Sequence, residues 1–102
     1  MSNGWIGVDL DGTLAEYEAT CKTIGKPVPL MLARVVQWLE QGIEVRIFTA
    51  RATDPIMIPV IKIWLKQWGL PDLKVTCCKD FAMIALYDDR CIRVETNTGK
   101  LI

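Results

Sequence analysis

Short apolar or alternating segments that stop abruptly at polar residues recur along this chain, separated by amphipathic segments. Segments of this length and pattern are typical of strands. Strands that alternate with helices form parallel sheets through right-handed crossovers, so the sequence predicts an α/β fold. The four segments, with the residues at which they stop, are 5–8 at Asp9, 43–48 at Thr49, 73–77 at Cys78 and 82–87 at Asp88.

Two helices are predicted between these strands. The first begins near Leu30, after Pro27 and Pro29, carries its polar residues in one narrow stripe, and stops at Gly42, as helices often do at glycine. The second begins either at the Asp-Pro pair 54–55, a strong helix start, or at Pro59, and it ends before Gly69. The short alternation at 92–94 predicts a further strand at the sheet edge, which gives about five strands in a single domain over residues 1–102.

Composition excludes several classes of protein. There is no histidine, so Ser-His-Asp or Cys-His catalysis and His-ligated zinc are excluded. The four cysteines form no C-x-x-C pair, and 12 basic residues balance 12 acidic ones, which argues against a dedicated nucleic-acid binder. We expect no membrane span and a cytoplasmic location, since there is neither a signal peptide nor an apolar run of about 18–20 residues.

The polar residues that follow the strands would meet at one edge of a parallel sheet, where ligands of such sheets bind. The sharpest motif there is D-L-D-G-T at 9–13. A plain polar turn is one interpretation of this motif. An EF-hand calcium loop is another, but it fails because Leu14 and Thr20 occupy the positions that need glycine and glutamate.

Four motifs occur in a specific order: D-x-D-G-T at 9–13, a hydroxyl residue at 49, a lysine at 79 and an acidic pair at 88–89. This order resembles the haloacid dehalogenase-like (HAD) phosphohydrolase superfamily and covers residues 9–90, about four-fifths of the chain. The resemblance implies a three-layer, Rossmann-like sheet of the minimal type, without a cap domain. Residues 12–29 would form the family's helical turn and β-hairpin flap, whose side chains with access to substrate are Tyr17, Lys22 and Lys26.

The resemblance also implies roles for individual residues. Asp9 would be the nucleophile that forms an aspartyl-phosphate, and Asp11 would be the general acid and base. Thr49 would donate to a phosphoryl oxygen, and Lys79 would screen the phosphoryl charge. The residues placed against phosphate or substrate are Gly12, Thr13, Ala50 and Arg51, with Arg51 and Arg90 equally explained by ion pairs at the rim.

A carboxylate that faces a phosphate dianion needs a cation, and Mg²⁺ suits the site because it prefers oxygen ligands. By the same resemblance, the metal would be held by Asp9, the carbonyl of Asp11 and Asp88. Asp89 would then be an outer or alternate ligand. On its own, the pair 88–89 would be read as a solvated turn.

Two other functions stay open. A phosphoacceptor switch of the response-regulator receiver type also uses Asp, Thr and Lys at strand ends. Receiver domains, however, place the acceptor Asp after the third strand, where this chain has Cys77-Cys78-Lys79. A non-catalytic phosphate- or metal-binding module is the other. The substrate of an uncapped enzyme could be a nucleotide, a nucleic-acid end, a phosphoprotein or a small phosphate ester, and a second subunit could cover the open site.

Overall fold

The computed structural model describes residues 4–17 and 23–102. A short 3₁₀ turn at Ala50–Thr53 lies between the second strand and the second helix. The strands and helices, in chain order, are β1 (Trp5–Val8), α1 (Pro29–Glu40), β2 (Glu44–Phe48), α2 (Met57–Gln67), β3 (Lys74–Thr76) and β4 (Met83–Tyr87).

The four strands form one parallel sheet in the order β3-β2-β1-β4, which confirms the predicted α/β class. Val8, at the end of β1, lies between Ile47 of β2 and Tyr87 of β4. The ladder continues one residue further, because the Asp9 N–H donates to the Tyr87 carbonyl over 2.9 Å. This register places the residues that follow β1, β2 and β4 side by side at the carboxyl edge of the sheet.

Both predicted helices are present. α1 ends where Gly42, with a φ of 79°, reverses the chain. The start of α2 combines the two predicted alternatives: the Asp54 carboxylate accepts the Ile56 N–H over 3.0 Å, and the helix begins at Met57. Pro59 therefore falls in the first turn, where its missing N–H costs no intrahelical bond. Neither of these helices, nor any other in the described part of the chain, is long and apolar enough to cross a membrane.

Both helices pack on one face of the sheet. Alternate residues of a strand point to the same face, and one buried cluster contains only one alternating set from β1 and β2. Side chains of both helices belong to this same cluster. Its main members are Ile6, Val8, Val45 and Ile47 from the sheet, Met31 and Val35 from α1, and Ile61, Trp64 and Leu65 from α2.

The opposite face is crossed by the short connection 77–82 instead of a helix. Six residues are fewer than the dozen or more that a helical crossover needs. The connection is fixed by Asp80, which accepts the Trp5 indole N–H over 2.8 Å and one from Arg46 over 3.4 Å. The Arg46 guanidinium also lies 4.5 Å from the centre of the Trp5 ring. The described residues thus build two layers, and the second helical layer of the predicted three-layer fold is not among them.

The prediction of a fifth strand at 92–94 was wrong. No strand is found there in the described part of the chain, and the sheet has four strands. Val94 instead forms an isolated antiparallel bridge with Leu101, across a turn that contains Asn97 and Gly99 at positive φ. The turn reverses the chain directly after this segment, so its backbone pairs with the residues that follow it and not with the sheet.

The segment after β1 folds back as two antiparallel arms. The Val28 N–H donates to the Leu14 carbonyl over 2.7 Å, and the Glu16 N–H donates to the Lys26 carbonyl over 2.9 Å. These arms correspond to the hairpin expected within 12–29. Lys22, one of the predicted flap residues, lies outside the described residues.

Candidate functional site

A cavity of about 500 Å³ opens at the carboxyl edge of the sheet. Its lining comes from the ends of all four strands and from the turn and hairpin beside them. The contributing residues are Asp9, Asp11, Tyr17, Phe48, Thr49, Ala50, Thr53, Cys77, Asp88 and Arg90. The structure therefore brings seven of the candidate site residues to one cavity: Asp9, Asp11, Tyr17, Thr49, Ala50, Asp88 and Arg90.

Three carboxylates converge beside this cavity. One oxygen each from Asp9, Asp88 and Asp89 lies within 4.8 Å of the other two. Asp9 is placed by the end of β1, and the acidic pair by the end of β4, which is hydrogen-bonded to β1. The Arg90 N–H donates to Asp88 Oδ1 over 2.8 Å and fixes that side chain toward its own backbone turn.

Thr13 links two of these acids. Its buried hydroxyl oxygen lies 3.3 Å from Asp9 Oδ2 and 3.1 Å from Asp89 Oδ1, and it accepts the Asp89 N–H over 2.9 Å. A hydroxyl has one hydrogen, so Thr13 can donate to only one of the two carboxylates at a time. Thr13 was predicted to contact phosphate, and here it acts as a brace between Asp9 and Asp89.

The surroundings of Asp9 in this cluster change its pKa. Burial, the charge of Asp88 and a hydrogen bond with Asp89 together raise the pKa of Asp9 from 3.8 to about 7. Each of these effects disfavours a third negative charge in the cluster. The metal-free cluster therefore holds a proton on Asp9 at neutral pH in part of the molecules.

The donor set fits a hard divalent cation. The oxygen ligands of an octahedral Mg²⁺ lie about 2.1 Å from the ion and roughly 3–4 Å from one another. Small rotations of the three carboxylates would bring their oxygens to these distances. Mg²⁺ retains several waters, which matches a site where three protein ligands lie beside an open cavity. The residues that would hold the ion are Asp9, Asp88 and Asp89.

Asp11 is held by an ion pair. Arg51 Nε donates to Asp11 Oδ2 over 2.7 Å and Nη2 donates to Oδ1 over 2.8 Å, a two-pronged contact with side chains 11% and 20% exposed. Nη2 also donates to the Thr23 carbonyl over 2.9 Å. Arg51 was predicted to bind substrate or to form a rim ion pair, and the structure shows the ion pair, which also ties the hairpin to the site.

Thr49 lies at the floor of the cavity and is 2% exposed. It caps the 3₁₀ turn, because its hydroxyl oxygen accepts the Arg51 N–H over 3.1 Å. Its own N–H donates to the Thr76 carbonyl of β3 over 2.9 Å, which extends the sheet by one residue. The hydroxyl is thereby fixed on the same edge of the sheet as Asp9.

Lys79 is not brought to the cavity. β3 ends at Thr76, so Lys79 lies three residues beyond the strand, in the connection that has already turned toward Asp80 across the opposite face. It is exposed and lines neither cavity at this edge. Lys26 of the hairpin is likewise exposed.

A second cavity of about 360 Å³ lies on the other side of the acidic cluster, toward α1. Gly12, Thr13 and Asp89 line it, with Asp88 shared between both cavities. Sequence reasoning missed Phe48, Thr53 and Cys77 in the larger cavity and Arg34 in the smaller one. Phe48 and Cys77 carried a usable signal, because each is the last residue of a predicted strand.

Gly12→Ala should weaken the binding of Mg²⁺ by the acidic cluster and cost the fold only a modest part of its stability. Gly12 has a φ of 90°, and a Cβ there would lie 2.7 Å from Asp89 Oδ2. We expect a loss of about 1–2 kcal/mol in the free energy of unfolding, from the strained backbone, and a marked loss of stabilisation by Mg²⁺, because Asp89 must rotate away. Urea unfolding and a Mg²⁺ titration followed by melting temperature would measure the two effects.

Gly42→Ala is the matched control, because Gly42 also has a positive φ but a Cβ there meets nothing within 4 Å. It should lose comparable stability and keep the full response to Mg²⁺. Equal Mg²⁺ responses of the two variants would contradict the role given to Gly12.

No protein-family model, curated protein or solved structure matches this chain.

Proposed function

We propose that this protein is a Mg²⁺-dependent phosphomonoester hydrolase of the HAD type. The observation that carries the proposal is the convergence of Asp9, Asp88 and Asp89 within 4.8 Å at the carboxyl edge of a parallel sheet. The resemblance of the motif order supports the same reaction. The position of β1 inside the sheet, with Asp9 at its carboxyl end, agrees with a Rossmann-like fold.

Asp9 is the nucleophile of this proposal. One of its carboxylate oxygens forms a bond to phosphorus while the bond from phosphorus to the ester oxygen breaks, and the leaving oxygen takes up a proton from Asp11, the general acid that the resemblance implies. Water then hydrolyses the aspartyl-phosphate, which releases inorganic phosphate and restores the carboxylate. Thr49, fixed on the cavity floor, would donate its hydroxyl hydrogen to a phosphoryl oxygen.

Mg²⁺ would neutralise the charge between the phosphate dianion and the carboxylates. Asp9, Asp88 and Asp89 supply the protein ligands, with the Asp11 carbonyl as the further ligand that the resemblance implies. Lys79, which the resemblance gives the task of screening the phosphoryl group, would need a rearrangement of the 77–82 connection to reach it. Arg90 is the cation among the described residues that line the cavity, so this task would fall to it.

The ion pair between Asp11 and Arg51 favours a second candidate function. Both oxygens of the Asp11 carboxylate accept hydrogen bonds from the Arg51 guanidinium and are directed away from an attacking water, so hydrolysis of a phosphorylated Asp9 would be slow. In that case the protein would act as a phosphoacceptor switch. Release of Asp11 from Arg51 when substrate enters would restore the hydrolase.

The proposed substrate is a phosphorylated molecule that reaches an open cavity: a nucleotide, a nucleic-acid end, a phosphoprotein or a small ester. A second copy of the chain could cover the cavity and select small molecules. The three cysteines of the described residues, Cys77, Cys78 and Cys91, carry free thiols, which suits the reducing cytoplasm.

Phosphate release from a panel of esters, with Mg²⁺ or with excess EDTA, tests the reaction. We expect turnover that requires Mg²⁺, and a rise in melting temperature with Mg²⁺ alone, because a ligand bound only by the native state must stabilise it. A phosphorylated Asp9 that persists for hours without turnover would support the switch. If the protein shows no turnover, no phosphorylation of Asp9 and no stabilisation by Mg²⁺, both functions are rejected.

A further inference from the structure

The larger cavity exceeds what a phosphoryl group needs. At about 500 Å³, it falls within the 300–1,000 Å³ typical of sites for whole small molecules. Three acids, Asp9, Asp11 and Asp88, contribute to its lining, and so do two aromatic side chains, Tyr17 and Phe48. The leaving group of an ester would lie against the aromatic side chains.

Tyr17 is at the end of an anchored arm, although its side chain is 63% exposed. The preceding residue pairs with the opposite arm, which is fixed to the body of the protein at two points. The Trp64 indole N–H donates to the Gly25 carbonyl over 2.8 Å, and Arg51 Nη2 donates to the Thr23 carbonyl over 2.9 Å. These contacts hold the 23–25 arm of the hairpin against the body of the protein, so the backbone before Tyr17 is anchored beside the cavity that the Tyr17 side chain lines.

The Tyr17 ring packs on no other ring: the ring pair found among the described residues is Trp38 with Tyr87. An exposed aromatic side chain on a cavity wall offers a flat face on which another ring can stack. Phe48 extends from the end of β2 into the same cavity, and Arg90 contributes a cation to its lining. Aromatic rings carry a negative face that a guanidinium attracts.

We propose that the ligand of this cavity is a phosphate ester whose leaving group carries an aromatic ring, and that Tyr17 is the residue that selects it. For the reaction, this inference rests on the proposed hydrolase function. For binding it stands by itself, because it depends on the cavity and its aromatic wall. Aryl phosphates and nucleotides both combine a phosphate ester with an aromatic ring, and they differ in the distance between the ring and phosphorus.

Phosphonates test the inference because their carbon–phosphorus bond resists hydrolysis. Isothermal titration calorimetry with Mg²⁺ would compare methylphosphonate with two aromatic probes, benzylphosphonate and a nucleoside 5′-phosphonate. We expect at least one aromatic probe to bind about tenfold more tightly than methylphosphonate, from stacking of a single ring. Preference for the benzyl probe indicates an aryl ester, and preference for the nucleoside probe indicates a nucleotide.

Tyr17→Leu should remove this tenfold gain and leave the affinity for methylphosphonate unchanged, whereas Tyr17→Phe should keep the gain. Phe81→Leu, at a fully exposed aromatic residue that lines neither cavity at this edge, is the matched control and should also keep it. No gain for either aromatic probe, a gain that survives Tyr17→Leu, or an equal loss for all three phosphonates would overturn the inference. Absence of ester turnover with selective binding intact would reject only the hydrolase.

Discussion

Asp9→Asn is expected to abolish ester hydrolysis and to stabilise the metal-free protein. An amide cannot form the aspartyl-phosphate, and loss of a nucleophile of this kind lowers turnover by roughly 10⁴-fold or more. The same change removes one of three carboxylates that meet within 4.8 Å, and with it their mutual repulsion. Loss of activity together with a gain of stability would separate this residue from one needed only for folding.

The size of the stability effect depends on pH. The pKa of Asp9 is about 7 in the folded protein and 3.8 in an ordinary environment, so between these values the folded state holds a proton that the unfolded state has released. The stability of the wild-type protein without metal therefore falls as pH rises from about 4 to about 7, and the penalty is constant above that. For a fully buried group, a pKa shift of this size would correspond to roughly 4 kcal/mol in the free energy of unfolding. Asp9 is partly exposed, so we expect Asp9→Asn to gain about 1–2 kcal/mol in the free energy of unfolding at pH 8.

Urea unfolding at pH 5 and pH 8, with EDTA or with Mg²⁺, would measure this effect. With EDTA the gain in Asp9→Asn should be larger at pH 8 than at pH 5. With Mg²⁺ the wild-type protein should recover stability and the variant should not. Asp72→Asn is the control, since Asp72 forms an exposed ion pair with Lys62 and its side chain is 78% exposed. A variant at position 9 that is less stable than wild type at pH 8 in EDTA would contradict the charge repulsion inferred here.

Arg51→Ala is expected to lower the free energy of unfolding by about 2–4 kcal/mol, the largest loss among the changes considered. The guanidinium makes two hydrogen bonds to Asp11 and one to the Thr23 carbonyl, and it is mostly buried. Without it, the Asp11 carboxylate stays partly buried and unpaired, which costs more than the ion pair itself contributed. The hairpin that carries Tyr17 also loses one of its attachments.

A double-mutant cycle would isolate the pair. Asp11→Ala in the Arg51→Ala background should restore part of the lost stability, because it removes the unpaired carboxylate. Lys62→Ala serves as the control: it breaks an ion pair whose side chains are 39% and 78% exposed, and it should cost less than about 1 kcal/mol. Additive losses from Arg51→Ala and Asp11→Ala would show that the contact stores no coupling energy.

Much of the fold could be predicted from local patterns. The apolar segments that end at Asp9, Thr49 and Asp88 became neighbouring parallel strands, and the helix boundaries at Gly42 and Gly69 were correct, because periodicity and capping depend on residues close in sequence. The edge of the sheet was less predictable. An alternation such as 92–94 suits either a strand of the main sheet or one arm of a local hairpin, and only the competition between the two decides.

The sequence by itself determined which chemical groups are available, acids and a threonine without any histidine, and that they follow strands of a parallel sheet. Such placement is local, since a strand end is fixed by the residues beside it. The tertiary structure alone decided that Arg51 holds Asp11, that Thr13 braces Asp9 against Asp89, and that Lys79 is turned away by the short crossover. These contacts join residues far apart in the chain, so they depend on side-chain reach and on the path of the backbone between strands, which no local pattern encodes.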